Sequence, residues 1–585
     1  MNHRTRNTSP DTALASDVTT DPSEPLPTLV RVDPAVSVQQ AQIILAAEER
    51  FAIEPIVIHG RPVGAWATGP KHIRDIYALC ASQPDSIFLV YERDRVSFGA
   101  FRKAVAHLAN KLVETGLQPA DRVALLMRNR TEWPVAFFAI MLAGGIAVPI
   151  NGWDQEASIA LMIADSGARF LIGDRVDRSI LPESVEHAWL IEGPGQSLSE
   201  LLPDVDEWAN LPDEGLLPID PDPDAIGAIF YTSGTTGRPK GATLTHRAMA
   251  AAVRNSEYQR ARFALRYPEF VTAPRAELAA LFPVPMFHVT GAVAGLLVAA
   301  ANGAKLVLMR KWDPEHALEL VERERITLIG GVPTLPLQML SSPSIGKYDL
   351  SSLSDFLYGG APAPSDLPRA ISSRLQARSA TGWGMTETAA TFIQNSGEDY
   401  LDRPRSCGLV AAVNAVRVVD DAGNVLGPDI PGELQVRGLT VTHGYWNQPD
   451  ATAQAFDADH WLKTGDYATI DAEGFVTIVD RIKDVIFRGG ENLFTTEIED
   501  AVAAHPDVIE ASVLGRPHPT LGEEPVAFVV LGDPQAADIG GLLEFVRKKL
   551  PRQKVPVAVV VVPDALPRNA TGKVIKAKLK GMLPG

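Results

Sequence analysis

Cysteine is almost missing from this chain: Cys80 and Cys407 are the only two in 585 residues. Two thiols cannot build a disulfide framework, and neither stands in a metal-ligand spacing. Both are therefore expected to be small packing residues in a reducing compartment. An excess of positive charge is missing too. Lys and Arg number 54 against 71 Asp and Glu, a net charge of -17. That balance argues against nucleic-acid binding by bulk electrostatics and against a polybasic membrane anchor, while leaving room for a local basic pocket. The opening "MNHRTRNTSPDTALASDVTTDPSEP" lacks the continuous apolar core of a signal peptide, and its composition is that of a disordered tail. The longest apolar run, "PVAFFAIMLAGGIAVPI" from Pro134 to Ile150, sits near the lower limit for a bilayer span and contains paired glycines. A buried helix followed by a strand explains it better. A cytoplasmic protein without integral membrane association is expected.

A chain of 585 residues exceeds what one hydrophobic core usually supports, so at least two domains are expected. From Asp121 the sequence alternates. "DRVALLMR" reads as a buried strand, "TEWPVAFFAIMLAGG" as a helix, "IAVPIN" as a strand, "DQEASIALMIADSG" as a helix and "ARFLIGD" as a strand. Short apolar strands separated by helices indicate a parallel α/β sheet covered on both faces. The section from about Cys407 to Val479 has short strands and turns such as "DAGN" and "PGEL", and reads as a smaller β-rich lobe. The last hundred or so residues read as a separate domain on general size grounds. There "TEIEDAVAAH" suggests a helix opened by a capping box of Thr496 and Glu499. The predicted layout is a tail over 1–37, a large domain over 38–480 and a small α+β domain over 481–585.

The densest run of small and polar residues is "YTSGTTGRPKG", Tyr231 to Gly241. "AIGAIFY" precedes it as a strand and "THRAMAAAVRN" follows as a helix. The run is therefore expected at a strand's carboxyl end, where open α/β sheets bind ligands. Glycines let amides converge on an anion, hydroxyls add donors, and Lys240 adds a charge. It is not a Walker A loop, because Gly234 and Gly237 are too close and no Lys-Ser or Lys-Thr pair follows. Composition alone fits a flexible solvent loop equally well. "TGWGMT" lacks the third glycine of a dinucleotide fingerprint.

The run "YTSGTTGRPKGATLTH" resembles the signature loop of the adenylate-forming superfamily, which includes acyl-CoA synthetases, luciferases and peptide-synthetase adenylation domains. Further motifs resemble that family in the right order: "YGGAPAP" (Tyr358 to Pro364), "TGWGMTE" (Thr381 to Glu387), "WLKTGD" (Trp461 to Asp466), "DRIKDVIFRGGEN" (Asp480 to Asn492) and "LPRNATGK" (Leu566 to Lys573). In isolation Glu387 would be a solvated carboxylate, Asp466 a turn former and Lys573 a surface lysine. The resemblance assigns them otherwise.

It implies two parallel-sheet lobes and a β-rich lobe, followed by a small mobile domain. It implies an acid–thiol ligase using ATP, Mg²⁺ and CoA, acting through an acyl-adenylate. Thr232, Ser233, Gly234, Thr235, Thr236, Gly237 and Lys240 would hold phosphates. Gly360 and Ala361 would face adenine, beside Trp383, Gly384, Met385 and Thr386. Glu387 would hold the metal, and Asp466 with Arg481 the ribose. Lys573 would bridge phosphate and carboxylate, with Glu387 and Thr232 as its catalytic partners. The resemblance places a hinge at Lys483 and a pantetheine path along Gly489, Gly490 and Glu491.

The acyl pocket would be bordered by His288, Gly331, Gly359 and Gly384. His288 stands where amino-acid-activating relatives carry an aspartate, which disfavours an amino acid, although a simply packed histidine fits equally. Gly384 stands where acetate-specific relatives carry tryptophan, so open space and a medium/long-chain, branched or aryl acid are expected. No carrier-domain motif follows Lys573, so free CoA is the expected acceptor. A fatty acyl-AMP ligase loading a separate carrier protein is the alternative. A luciferase-like oxygenase and a silent nucleotide-binding module are further readings, and a homodimer is compatible with the family.

Overall fold

Short Val-, Ile- and Leu-rich runs form most of the strands, and the amphipathic stretches between them form covering helices. The computed structural model describes residues 32–193, 196–217, 222–232, 239–270, 277–533, 538–568 and 574–584. Among these residues one sheet has seven strands. Its Arg122–Leu126, Ile146–Pro149, Phe170–Gly173 and Ile226–Thr232 strands are all mutually parallel. The run "AIGAIFY" is thus a strand, as expected. After it the chain returns as Lys240–Thr245, an antiparallel edge strand pairing Thr232 with Lys240. Only then does helix His246–Arg266 begin, capped by the Thr245 hydroxyl. The strands before and after the polar run therefore pair as a hairpin, and a strand separates that run from the helix.

A second sheet has nine strands. Its centre runs Arg378–Met385, Asp355–Gly359, Leu328–Gly331, Ala279–Leu281 and Lys305–Leu308, all parallel. Ala390–Ser396 then pairs antiparallel with Arg378–Met385. Helix Glu132–Leu142 is apolar on every side, and Trp133 to Leu142 are all buried. With helix Phe98–Glu114 it lies in one core holding Phe88 and Leu89 of the larger sheet and Val123 and Leu125 of the smaller. Enclosure between two sheets explains a run of nearly membrane-like hydrophobicity. No helix among the described residues is long and apolar enough to cross a membrane. Four antiparallel strands, Asn414–Val419, Gly432–Gly438, Leu462–Ile470 and Val476–Arg481, form the β-rich lobe.

Beyond Arg481 a five-stranded sheet is built around Val508–His518 and Gly522–Leu531, with helices Thr495–Ala503 and Ile539–Arg547 packed on it. The first of these helices begins where expected, but the capping box does not form. No side chain caps it. Thr495, one residue earlier, bonds Asp480, and Glu499 accepts from the Val513 amide at 2.8 Å. Tertiary partners outcompete the local box. Cys80 is buried and Cys407 half-buried, and burial of the sulfurs pushes both thiols up to about 12. Neither is a thiolate at neutral pH.

The first 31 residues of the predicted tail lie outside the described residues. Its last ones are anchored: the Ala35 amide donates to Arg266 O at 2.7 Å, and Arg266 Nη1 donates to Val36 O at 2.9 Å. Ser37 and Gln40 then form a reciprocal capping box on helix Val38–Ala46. Arg266 is 3% exposed and donates to both oxygens of Asp399, at 3.0 and 2.7 Å. The Tyr267 hydroxyl adds a third bond at 2.8 Å. Such a pair contributes most when both members are present, since removing one leaves a buried charge. Asp399→Ala should therefore lower the unfolding free energy by about 3–5 kcal/mol. Urea denaturation of both proteins measures it, and a loss under about 1 kcal/mol would mean that solvent reaches Arg266.

Candidate active site

The carboxyl ends of the parallel strands collect most of the predicted site residues that are described. Gly331 and Gly359 end neighbouring strands of the larger sheet, with Gly331 beside Tyr358 and Gly359 beside Gly382. Gly360 follows with φ +76°, then the half-buried Ala361. On the next strand Trp383 is buried, Gly384 and Met385 are half-buried, and Thr386 is buried. His288 follows the adjacent Ala279–Leu281 strand. Its Nδ1 accepts from the Thr290 amide at 3.2 Å, so the neutral ring carries its proton on Nε2. An eight-residue π-helix, Thr290–Leu297, begins there. No sequence signal announced it, and such irregular turns cluster at functional sites.

Glu387 lies in the one-turn helix Thr386–Thr388 and is 5% exposed. The Tyr445 hydroxyl donates to its Oε1 at 2.7 Å. Burial and the Glu387 charge hold that phenol far above its usual range, so it remains a donor. Lys240 Nζ sits 5.0 Å from the centre of the same tyrosine ring. Lys240 and Glu387, far apart in sequence, thus share one aromatic neighbour. Tyr445 was not anticipated; "GYW" at 444–446 carries no chemical signal by itself. Thr232 lies at the end of its strand, with its hydroxyl 3.4 Å from Lys240 O. Ser233, Gly234, Thr235, Thr236, Gly237 and Lys573 lie outside the described residues.

Asp466 is 2% exposed and faces Arg481 across an antiparallel pair. Arg481 Nε stands 2.7 Å from Oδ1, and Trp383 Nε1 donates to Oδ2 at 2.9 Å. Sheet register thus brings together Asp466 and Arg481, the two residues assigned to the ribose. Trp383 comes from another sheet, so this bond also joins the β-rich lobe to the larger one.

Lys483 is exposed in the short turn Ile482–Asp484. Gly489 and Gly490 connect the Ile486–Arg488 and Glu491–Leu493 strands with φ +61° and +86°. Two consecutive positive φ angles make a type I′ hairpin turn, for which glycine is the low-cost residue. Gly489, Gly490 and Glu491 are exposed. Behind the turn lies a cluster that sequence reasoning missed. Lys576 Nζ is 3.0 Å from Glu499, 3.1 Å from the Thr495 hydroxyl and 4.0 Å from Asp484. Burial opposes its charge, but Glu499 and Asp484 outweigh that and hold it above the usual lysine range.

The residues present suit a divalent cation that arrives with a nucleotide. Among the described residues no group of three or more His, Cys, Asp or Glu could hold a metal by itself. One buried carboxylate is what Mg²⁺ needs when phosphates and waters complete its shell.

The AMP-binding enzyme family matches residues 77–446, and the AMP-binding enzyme C-terminal domain matches 497–573. The chain belongs to the AMP-binding enzyme family. Relatives within it include the feruloyl-CoA synthase of an Amycolatopsis species, 34% identical over 83% of this chain and 93% of that one. The mitochondrial medium-chain acyl-CoA ligase of Mus musculus is 31% identical, covering 85% and 84%. Among solved structures, ATP-bound MatB from Rhodopseudomonas palustris superposes with a TM-score of 0.76 at 29% identity, over 87% of this chain and 98% of that one. The o-succinylbenzoate CoA synthetase of Bacillus subtilis, in complex with its acyl-adenylate intermediate, gives 0.71 at 29% identity, over 86% and 97%.

One expectation about this AMP-binding enzyme fails. Gly384 does not leave open space. A Cβ built there would stand 1.8 Å from Ala390 O and 3.1 Å from Phe392 N. The chain turns back sharply after Met385, with Ala389 and Ala390 at φ +53° and +77°. This unusual conformation for alanine brings the returning strand's backbone onto Gly384. Gly384 is glycine because of backbone contact, so tryptophan there would push the strand away before it shortened any pocket. Gly384→Ala should cost about 3 kcal/mol of stability and several degrees of melting temperature. A variant as stable as the wild type would show that the turn relaxes.

Proposed function

We propose that the chain is an ATP-dependent acyl-CoA synthetase that activates a medium/long-chain, branched or aryl carboxylic acid through an acyl-adenylate and transfers it to CoA. Residues 38–480 would form the nucleotide-binding domain and 481–585 the mobile one. The observation that carries this reading is the pair of buried carboxylates, Glu387 and Asp466, each bonded by a donor from another lobe, with Glu387 set beside the polar loop's exit strand. The relatives' names, spanning feruloyl and medium-chain substrates, support the breadth of acid.

In the first half-reaction the acid's carboxylate attacks the α-phosphorus, a new P–O bond forms, and pyrophosphate leaves. Nucleophile and leaving group are both anionic, so catalysis rests on charge and placement. The Thr232-to-Lys240 run would hold the β- and γ-phosphates. Asp466 and Arg481 would hold the ribose hydroxyls, with Gly360, Ala361 and Trp383 to Thr386 around the adenine and α-phosphate. Mg²⁺, when bound, supplies neutralising charge to the phosphates, and Glu387 would hold it. Lys573 would bridge the attacking carboxylate and α-phosphate. In the second half the CoA thiol attacks the acyl carbonyl and AMP leaves, after rotation about Lys483 brings the Gly489-to-Glu491 turn to the site. His288, Gly331 and Gly359 would border the acyl group.

A screen of CoA-dependent AMP release across carboxylic acids tests the reaction. CoA-independent adenylate accumulation would favour carrier-protein loading instead. Lys573→Ala should suppress adenylation yet spare thioester formation from supplied acyl-adenylate. Lys483→Pro, which fixes φ in the hinge, should do the reverse, and equal losses in both halves would refute the division. A larger residue at Gly331 meets the side-chain ends of Leu335 and Val284, which can move. Gly331→Leu should lower kcat/KM for octanoate about tenfold relative to propionate, because each excluded methylene forfeits up to about 0.8 kcal/mol. An unchanged ratio would place the acyl chain elsewhere.

A further inference from the structure

The segment from Leu439 to Gln448 leaves the β-rich lobe and runs along the outer edge of the loop's exit strand. It adds a short pairing there: Ala242 bridges Tyr445, the Thr243 amide donates to Gly444 O at 3.0 Å, and the Trp446 amide donates to Gly241 O at 2.7 Å. The Thr442 hydroxyl donates to Thr243 O at 2.7 Å, and Gln448 Nε2 reaches Pro239 O at 3.3 Å. An edge strand with unpaired amides is thereby covered. The same segment grips the Glu387 turn twice. The Thr442 amide donates to Glu387 O at 2.7 Å, and the Tyr445 hydroxyl donates to Oε1. Among the described residues nothing else bonds this carboxylate.

We infer that Tyr445 is a positioning residue for the proposed reaction. Its hydroxyl fixes the rotation of the Glu387 carboxylate so that Oε2 is presented to Mg²⁺, while its ring holds the Lys240 ammonium beside the phosphates. The strap thus couples the exit strand that carries Lys240 to the aim of the metal-binding carboxylate. The inference rests on the reading above, in which Glu387 holds Mg²⁺ and Lys240 meets phosphate. The two contacts separate cleanly. Phenylalanine keeps the ring and the backbone pairing and removes only the donor. Leucine removes the ring as well.

The test uses full-length protein and two measurements. In pyrophosphate release, Tyr445→Phe should raise the Mg²⁺ concentration for half-saturation about tenfold, as expected for loss of a hydrogen bond to a charged group, with the KM for the acid unchanged and activity restored by saturating Mg²⁺ even though the melting temperature falls. In calorimetric titration, which needs no turnover, the affinity for Mn²⁺–ATP should fall by a similar factor and that for metal-free ATP should not. Tyr445→Leu should additionally weaken metal-free ATP, because Lys240 loses its aromatic support. Unchanged metal dependence in Tyr445→Phe, or a loss of activity that saturating Mg²⁺ does not restore, would overturn the positioning role while leaving the synthetase reading intact. A wild-type protein that neither binds Mn²⁺–ATP nor releases pyrophosphate would overturn both.

Discussion

A carboxylate cannot leave water without donors, because the unpaired charge would cost several kcal/mol. This chain buries two at its proposed nucleotide site and satisfies each from a different part of the molecule. Glu387, at the end of the larger parallel sheet, takes the hydroxyl of Tyr445 from the strap that leaves the β-rich lobe. Asp466, in the β-rich lobe, takes the indole of Trp383 from the larger sheet. The exchange is reciprocal: Asp466 also pairs with Arg481 in its own lobe, whereas Glu387 takes its donor from the strap. The site and the packing of the lobes are the same set of bonds.

A second constraint is backbone proximity. The strand carrying Trp383 and Gly384 reverses within five residues through two left-handed alanines, and the reversal places Glu387 at its apex. The returning backbone lies against Gly384. The glycine therefore belongs to the mechanical support of the turn that carries Glu387. At Gly331, by contrast, a Cβ would meet only the side-chain ends of Leu335 and Val284.

Below the last strand of the β-rich lobe, charge organises the start of the C-terminal sheet. Asp480 closes onto Thr495, and Lys576 gathers Glu499 and Asp484. Arg405 reaches Asp500 on the same helix at 3.1 Å. Burial raises the carboxyls of Asp480 and Asp500. Were the small domain to rotate about Lys483 as proposed, the Asp480–Thr495 and Arg405–Asp500 bonds would have to be exchanged for others, whereas Lys576, Glu499 and Asp484 would move together.

Periodicity and composition determined the α/β class, the run of parallel strands, the β-rich lobe and the reading of the longest apolar run as a buried helix. These depend on local pattern, which a chain carries residue by residue. The ordered motifs likewise singled out Glu387, Asp466 and Arg481, and the flanking strand put the polar loop at a strand's end. Tertiary structure alone decided three things. It turned Lys240 into the start of an edge strand, because the free edge of the sheet was available to pair. It displaced the Thr496–Glu499 capping box, because Glu499 found the Val513 amide. It brought Tyr445 to Glu387 and the Ala390 carbonyl to Gly384. Each is a contact between segments whose meeting no local pattern encodes, and each was settled by where an unsatisfied donor, acceptor or backbone surface found its partner.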